Sequence, residues 1–395
     1  MLRTLSKVKS LKGKRVLVRV DFNVPIDKKG VSDDTRIRET LPTLKHLIKQ
    51  GARVIVITHL GRPEGKVVEK LKLDAVAKSL SKLLKKKVQK LNACIGPKVE
   101  AAIDKMKNGE VMLLENIRFY PEEETCEAAF TKALASLGDV FVNDAFAACH
   151  RKHASVYGIA KKLPSYAGFL IEQEMKNLAP LLAKPKHPFT LIVGGAKIDT
   201  KIGLIKNFIG KADHIIIGGA LANTFLAAQG FDVGGSLYEK EKIVVAQEIL
   251  MLAEKKHQHI SLPEDVVVAS EATEYATHLD VPAEDVEGDM KIFDIGVKTQ
   301  KKFAKIIGAS KMVVWNGPLG LYEFTPFRGG TSAVAKATAK VTGKAQTVIG
   351  GGDTLDALTR CKVARKKFTF VSTGGGAMLE FLEGKKLPGI EVLMD

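Results

Sequence analysis

Four cysteines, one tryptophan and 6% aromatic residues in 395 positions leave this chain short of several features that would classify it at once. Cys94, Cys126, Cys149 and Cys361 are scattered, with no Cys-x-x-Cys and no zinc-ligand spacing. A disulfide framework and a structural zinc site are therefore excluded, and reduced thiols are expected. Cys149, between Ala148 and His150, has a cationic neighbour that would favour a reactive thiolate, although a small filler residue fits the position better. No apolar run approaches the roughly 20 residues that cross a bilayer. Ile215–Ala228 is too short and holds Asn223 and Thr224. The basic start, Met1-Leu-Arg-Thr-Leu-Ser-Lys, is followed by no apolar stretch, so no removable leader is expected. There is no Asn-x-Ser/Thr acceptor, and a cytoplasmic protein is expected. Also missing are G-x-x-x-x-G-K-[S/T], G-x-G-x-x-G, H-E-x-x-H and G-x-S-x-G. P-loop ATPases, standard dinucleotide folds, zincins and α/β-hydrolases lose ground accordingly.

What is present is charge and alternation. The formal net charge is +17, which points to anionic partners: nucleic acid, an anionic membrane or phosphorylated small molecules. Hydrophobic residues at 45% are ample for two buried cores in a chain of this length. The first half alternates strand and helix patterns. Arg15–Val20, Arg53–Ile57, Val111–Leu114 and Asp139–Val142 read as strands; Arg36–Gln50, Leu73–Leu84 and Glu122–Leu137 read as helices. In the second half, five apolar runs pass directly into glycine: LIVGGAK (191–197), IIIGGAL (215–221), VVWNGPLG (313–320), VIGGGDT (348–354) and FVSTGGGAM (370–378). The expectation is α/β throughout: two domains, each with a Rossmann-like parallel sheet flanked by helices on both faces, joined by a hinge helix at Ile171–Lys184. The boundaries expected are 1–165 for the first domain, 166–187 for the connecting helix and 188–383 for the second domain. A short helix at Ala377–Leu382 is expected to give way to an extended tail.

Ligands of parallel sheets bind beyond the carboxyl ends of the strands. In the first domain those ends carry Arg19, Asp21 and Asn23, then Arg36, His59, Arg62, Arg118, His150, Arg151 and His153. Each Arg alone reads as a solvated charge. Together at successive strand ends they would concentrate guanidinium forks suited to a small, highly anionic substrate. In the second domain, Lys197 and Lys201 follow Gly194-Gly195 and are expected on one face of the helix beginning there. Lysines in a first turn oppose the helix dipole unless an anion lies nearby. Asp353 follows three glycines at a helix start, where it either caps the helix or holds Mg²⁺. Gly374–Gly376 precede another helix start suited to an anion.

The runs VDFNVP (20–25), HLGRP (59–63), ENIRFYPEEE (115–124), NDAF..CHRKHAS (143–155), GGAKIDTK (194–201), WNGPLGLYE (315–323), GGGDT (350–354) and STGGGAMLEFLEGKKLPGIEVL (372–393) resemble, in order and from end to end, the phosphoglycerate kinase family. The resemblance implies that the first domain binds 3-phosphoglycerate or 1,3-bisphosphoglycerate through Asp21, Asn23, Arg36, His59, Arg62, Arg118 and Arg151. It implies a second domain for MgADP or MgATP. Lys201, Asn316, Glu323, Gly350, Gly351, Gly352, Asp353 and Thr354 would bind nucleotide there, with Asp353 holding Mg²⁺. Arg36, Lys197 and Gly374, Gly375 and Gly376 would meet the transferring phosphoryl group. It also implies a tail, about 384–395, that returns to the first domain, and a monomer. Against the family pattern, Ala220 and Leu221 stand where glycine and methionine are frequent, and Ala147 where glycine is. The competing class is a basic nucleic-acid-binding protein with an idle kinase site. It wants aromatics interleaved with the lysine runs, and Lys85-Lys86-Lys87 and Arg365-Lys366-Lys367 have none; no specific nucleic acid is expected.

Overall fold

A computed structural model describes residues 1–395. The chain divides into two compact units, Met1–Lys176 together with Lys386–Asp395, and Asn177–Lys385. The helix Phe169–Ala183 starts in the first unit and ends in the second.

The first unit is built on a six-stranded sheet, all parallel, in the order Val88–Lys90, Val111–Leu113, Arg53–Ile57, Arg15–Arg19, Val140–Asn143, Ser165–Ala167. Its central strands are buried along almost their whole length, which is why they read as continuous Val/Ile runs without alternation. The first strand in sequence lies in the middle, and the chain extends the sheet to one side and then the other. That reversal opens a crevice at the strands' carboxyl ends beside Arg15–Arg19. The helix Thr35–Lys49 buries Ile37, Leu44 and Leu47, and Gly51, at φ +73°, turns the chain after it as its position suggested.

Glu122–Leu137 is not one helix. It splits into Glu122–Thr125 and Ala128–Ala135, because Cys126 turns left-handed at φ +55° and Glu127 caps the second piece. The Glu127 carboxylate accepts the Ala129 and Phe130 N–H groups at 2.8 and 2.6 Å. The tail is not simply extended either. Pro388–Glu391 forms a helical turn, and Gly389 donates to the Cys149 carbonyl at 2.8 Å within the first unit. Cys149 is fully buried, and that burial raises its thiol pKa. This leaves it a packing residue.

The second unit repeats the plan with a parallel sheet in the order His259–Ser261, His214–Ile217, Phe189–Val193, Met312–Asn316, Gln346–Gly350, Phe370–Val371. The five strands that run into glycine all lie in it, and again the first strand is central. A three-stranded antiparallel sheet, Leu279–Pro282, Asp265–Ala269 and Lys291–Ile295, is added to it. Trp315 is fully buried and gives its ring N–H to the Gly317 carbonyl at 2.7 Å, fixing the turn after its strand. No helix is long and apolar enough to cross a membrane.

Candidate functional sites

In the first unit, Asp21, Arg36, His59, Arg118 and Arg151 are gathered at the carboxyl edge of the sheet. Arg36, in the first turn of its helix, forms an ion pair with Asp21. Asn23 accepts the Gly61 N–H at 2.9 Å, tying the loop after one strand to the loop after the next. Arg118 donates to the Gly61 carbonyl at 2.8 Å and approaches Glu124 at 3.2 Å. Arg151 reaches His150 at 3.0 Å, and Arg62 is exposed on the same HLGRP loop.

Burial and the guanidinium groups of Arg19, Arg118, Arg36 and Arg151 hold the His59 pKa well below the ordinary imidazole value. Arg19 meets the ring directly at 3.1 Å, and the other three act on it through space. Burial and Arg19, Arg118 and Arg151 likewise push His153 down to about 3. Burial and the field of Arg151 and Arg19 lower even Arg118 to about 10. Both histidines are therefore neutral at physiological pH, and the positive charge of the crevice is carried by arginine. Arg19 differs from the rest: it is 1% exposed and turned into the protein, donating to Ser155 at 2.8 Å.

In the second unit, a cavity of about 580 Å³ opens among the strand ends. Its floor is backbone from Gly195, Gly219 and Gly320, and its walls include Phe293, Leu319, Tyr322, Glu323 and Asp353. Gly194, at the end of the central strand, has no room for a side chain, since a Cβ would strike the Pro318 and Gly317 carbonyls. Glycine is thus required for the two central turns to meet. Gly351, at φ +99°, faces the Asn316 amide and starts the helix Gly352–Arg360. Asp353 lies inside that first turn, exposed, and makes no cap bond. The capping role therefore falls away.

Lys197 and Lys201 do not share a helix face. The helix after Gly195 begins only at Ile202, so Lys201 is its N-cap residue and Lys197 is exposed in the preceding loop. The Ile198 N–H is held by the Glu239 carboxylate, and the Ile198 carbonyl accepts the Lys201 and Ile202 N–H groups at 2.8 Å, so the chain runs in turns up to Ile202. Lys201 is mostly buried and bonds the Asn316 side-chain oxygen. Burial lowers its pKa to about 8, against the opposing pull of Asp353 and Glu383. Asn316 also donates to the Gly350 carbonyl at 2.9 Å, and Thr354 accepts the Gly317 N–H at 2.8 Å. Both are buried and tie the glycine turns together. The Gly374 N–H is bound by Ser372 at 3.0 Å, so any anion at that turn would meet Gly375 and Gly376, the latter opening the seven-residue helix Gly376–Leu382.

The phosphoglycerate kinase family profile matches residues 5–385. The chain belongs to the phosphoglycerate kinase family. It is 51% identical over 385 residues to the phosphoglycerate kinase of Moorella thermoacetica, covering 98% of this chain and 97% of that protein. The Pelotomaculum thermopropionicum phosphoglycerate kinase is 48% identical over the same extent. Among solved structures, the Coxiella burnetii phosphoglycerate kinase superposes with a TM-score of 0.90 at 40% identity, covering 100% of this chain and 99% of that one. The Pyrococcus horikoshii enzyme gives 0.86 at 32%, covering 100% and 98%. The activity is that of a phosphoglycerate kinase, a phosphotransferase of glycolysis.

The sequence pattern missed one wall of the cavity in the second unit. Lys291–Ile295, from the antiparallel sheet, supplies Lys291, Phe293 and Asp294, and the single glycine that ends it, Gly296, is a signal that could have found it. Ala220 lines the same cavity while its neighbour Leu221 is fully buried. Asp294 is buried and accepts the Ile295 and Gly330 N–H groups at 2.9 and 2.7 Å. Burial nonetheless pushes its carboxyl up to about 8. In the unfolded chain the same group ionises near pH 4. Its stabilising contribution is therefore complete below about pH 4 and is lost as pH rises through 8. Between pH 6 and 8 this carboxyl alone should remove about 1.4 kcal/mol per pH unit. Asp294→Asn is expected to lower stability at every pH, because an amide N–H2 would oppose a backbone donor. It should also flatten the decline between pH 6 and 8, as urea unfolding at several pH values would show. An unchanged slope would remove Asp294 as its source.

Proposed function

We propose that the enzyme transfers the acyl phosphate of 1,3-bisphosphoglycerate to MgADP, giving 3-phosphoglycerate and MgATP, with the triose on the first unit and the nucleotide on the second. The observation that carries this reading is the gathering of Arg36, Arg118 and Arg151 with Asp21 and His59 at the carboxyl edge of the first unit's sheet, where Arg36 pairs with Asp21, Asp21 lies 3.9 Å from His59 and Arg118 holds the Gly61 carbonyl. Asn23 and Arg62 complete the set that would hold the triose phosphate and carboxylate. Charge is distributed in keeping with this. The first unit has 35 Lys and Arg against 22 Asp and Glu, a net +13, whereas the second has 26 against 22, a net +4. Such an excess draws in a small polyanion and is screened by salt.

On the second unit the cavity beside Gly195, Gly219 and Gly320 would take the nucleoside, with Glu323 at the ribose and Lys201 and Gly350–Gly352 at the phosphates. Asp353 suits Mg²⁺, which prefers hard oxygen ligands and is commonly held by one or two carboxylates plus substrate phosphates. No group of three His, Cys, Asp or Glu side chains forms a metal cage in the protein, so the ion would be held between Asp353 and the nucleotide. When bound, Mg²⁺ would neutralise phosphate charge. Lys197, Arg36 and the Gly375–Gly376 turn would meet the oxygens of the phosphoryl group in transit.

The reaction needs alignment and charge stabilisation more than proton transfer. In the direction of ATP consumption the nucleophile is the 3-phosphoglycerate carboxylate, ionised at neutral pH, so no general base is assigned. Fixed guanidinium groups and backbone N–H groups act on the in-line transition state without having to reorganise. Closure would exclude the water that otherwise hydrolyses an acyl phosphate, with Phe169–Ala183 as the hinge element. A monomeric cytoplasmic enzyme is part of the proposal, supported by family membership and by each unit carrying its own set of binding residues.

The decisive experiment mixes the protein with 3-phosphoglycerate and MgATP and traps acyl phosphate with hydroxylamine. Hydroxamate formed only with Mg²⁺ present is the expected result. A folded, MgATP-binding protein that yields none would overturn the proposal.

A further inference from the structure

The crevice of the first unit stands on a buried polar chain that the reaction as described does not use. Glu123, in the short helix Glu122–Thr125, is completely buried. Its two carboxylate oxygens accept the Ser155 N–H at 2.8 Å and the Ser155 hydroxyl at 2.6 Å. The same hydroxyl oxygen accepts Arg19 Nε at 2.8 Å. Arg19 then reaches His59 Nδ1 at 3.1 Å through Nη2 and the Val20 carbonyl through Nη1. Three hydrogen bonds thus connect a buried acid to the imidazole of the substrate crevice.

The direction of the last bond has a chemical consequence. A guanidinium only donates, so Nδ1 of His59 must accept, and the ring proton of the neutral imidazole sits on Nε2. We propose that Glu123 is a positioning residue for phosphoglycerate binding: through Ser155 and Arg19 it holds His59 in the Nε2–H form, as a hydrogen-bond donor within the crevice. The inference rests on the assignment of that crevice to phosphoglycerate.

Charge explains why an acid is needed at this place. Arg19 is buried, and a buried cation without a counter-ion is costly. Glu123 is the acid with the largest electrostatic hold on it, ahead of Asp21. Without Glu123, Arg19 would be drawn to Asp21, which already pairs with Arg36 and lies 3.9 Å from His59. The pair that anchors Arg36 would be disturbed together with the imidazole. Around Glu123 stand Arg19 from the central strand, Arg118 from the turn after Val111–Leu113, His153 at 3.7 Å and the buried thiol of Cys94. Around His59 stand Arg19, Arg118, Arg36, Arg151 and Asp21. Burial raises the Glu123 carboxyl to about 7, against the pull of Arg19 and Ser155, whereas both histidines lie far lower. The carboxyl is therefore the member of this network that titrates near neutrality.

The test is Glu123→Gln, which keeps shape and removes the charge, with Ser155→Ala as a second break in the same chain. We expect KM for 3-phosphoglycerate to rise about tenfold in each, the scale of one hydrogen bond to a charged group, with KM for MgATP unchanged within twofold. The inflection near pH 7 in wild-type kcat/KM for 3-phosphoglycerate should be lost in Glu123→Gln. In ¹⁵N spectra, His59 should change from a single Nε2–H tautomer to a mixture. The double variant should be no worse than the poorer single one, since both cut one chain. Wild-type KM, pH profile and tautomer in a folded Glu123→Gln would overturn the proposal. If that variant does not fold, an unaltered KM and tautomer in Ser155→Ala would do the same. His59→Ala separates the two levels. If it leaves KM for 3-phosphoglycerate unchanged, the crevice assignment fails; if it raises KM while Glu123→Gln does not, only the role of Glu123 fails.

Discussion

Arg36→Ala should lower kcat by about a thousandfold or more while leaving MgADP affinity within twofold of wild type. Arginines that stabilise charge on a transferring phosphoryl group contribute on this scale, 10³–10⁵ in kcat. Arg36 is half-buried in the first turn of Thr35–Lys49, where a cation opposes the helix dipole. Its position therefore costs stability, offset by the pair with Asp21, and is what an anion-directed role would require. Arg36→Lys keeps the charge but loses the planar fork, so an intermediate loss of about ten- to a hundredfold is expected. Removing Arg36 also leaves Asp21 without its closest cation, so thermal unfolding should accompany the kinetics. Calorimetric titration with MgADP completes the comparison. A kcat within tenfold of wild type in a folded Arg36→Ala protein would remove Arg36 from the reaction.

Much of this site was legible because parallel sheets expose strand ends in a fixed sense. Arg53–Ile57 followed by HLGRP gave His59 and Arg62 their place, since a buried Val/Ile run can end only where backbone donors and polar side chains emerge. The five strand–glycine junctions fell in one sheet for the same reason. What stayed hidden depends on contacts between distant residues. Periodicity over Glu122–Leu137 is helical throughout, and only the Glu127 cap and the left-handed Cys126 divide it. Glu123 is one acid in a run of three, and nothing in that run marks it as the one bound to Ser155, 32 positions away. Arg19 and Arg36 both read as crevice cations, although one points inward. Lys197 and Lys201 had helical spacing, but spacing does not reveal that the chain stays in turns, with the Ile198 N–H held by Glu239, until the helix begins at Ile202. Direction and burial of a charged side chain are tertiary facts, and pattern reports only its position along the chain.

Asp353→Ala should weaken MgADP binding by about a hundredfold, and its behaviour without metal should have the opposite sign. Asp353 is exposed at the cavity edge, so in the presence of chelator its carboxylate only repels the ADP phosphates. Metal-free ADP should therefore bind the variant as well as or better than wild type, whereas a residue needed only to shape the turn would weaken both forms alike. A second route to weakened binding runs through Lys201. Asp353 is the stronger of the two carboxylates that keep its amine charged against burial, and without it the pKa should fall further below about 8. Loss of phosphate affinity by that route would appear at pH 8, where Lys201 becomes neutral, and recover at pH 6, where it is protonated. Loss of a metal ligand would persist at both. Titrating MgADP and metal-free ADP at pH 6 and pH 8 thus separates the two causes in one variant. MgADP affinity unchanged at both pH values would sink the metal assignment. Recovery at pH 6 alone would instead leave Asp353 as the electrostatic support of Lys201.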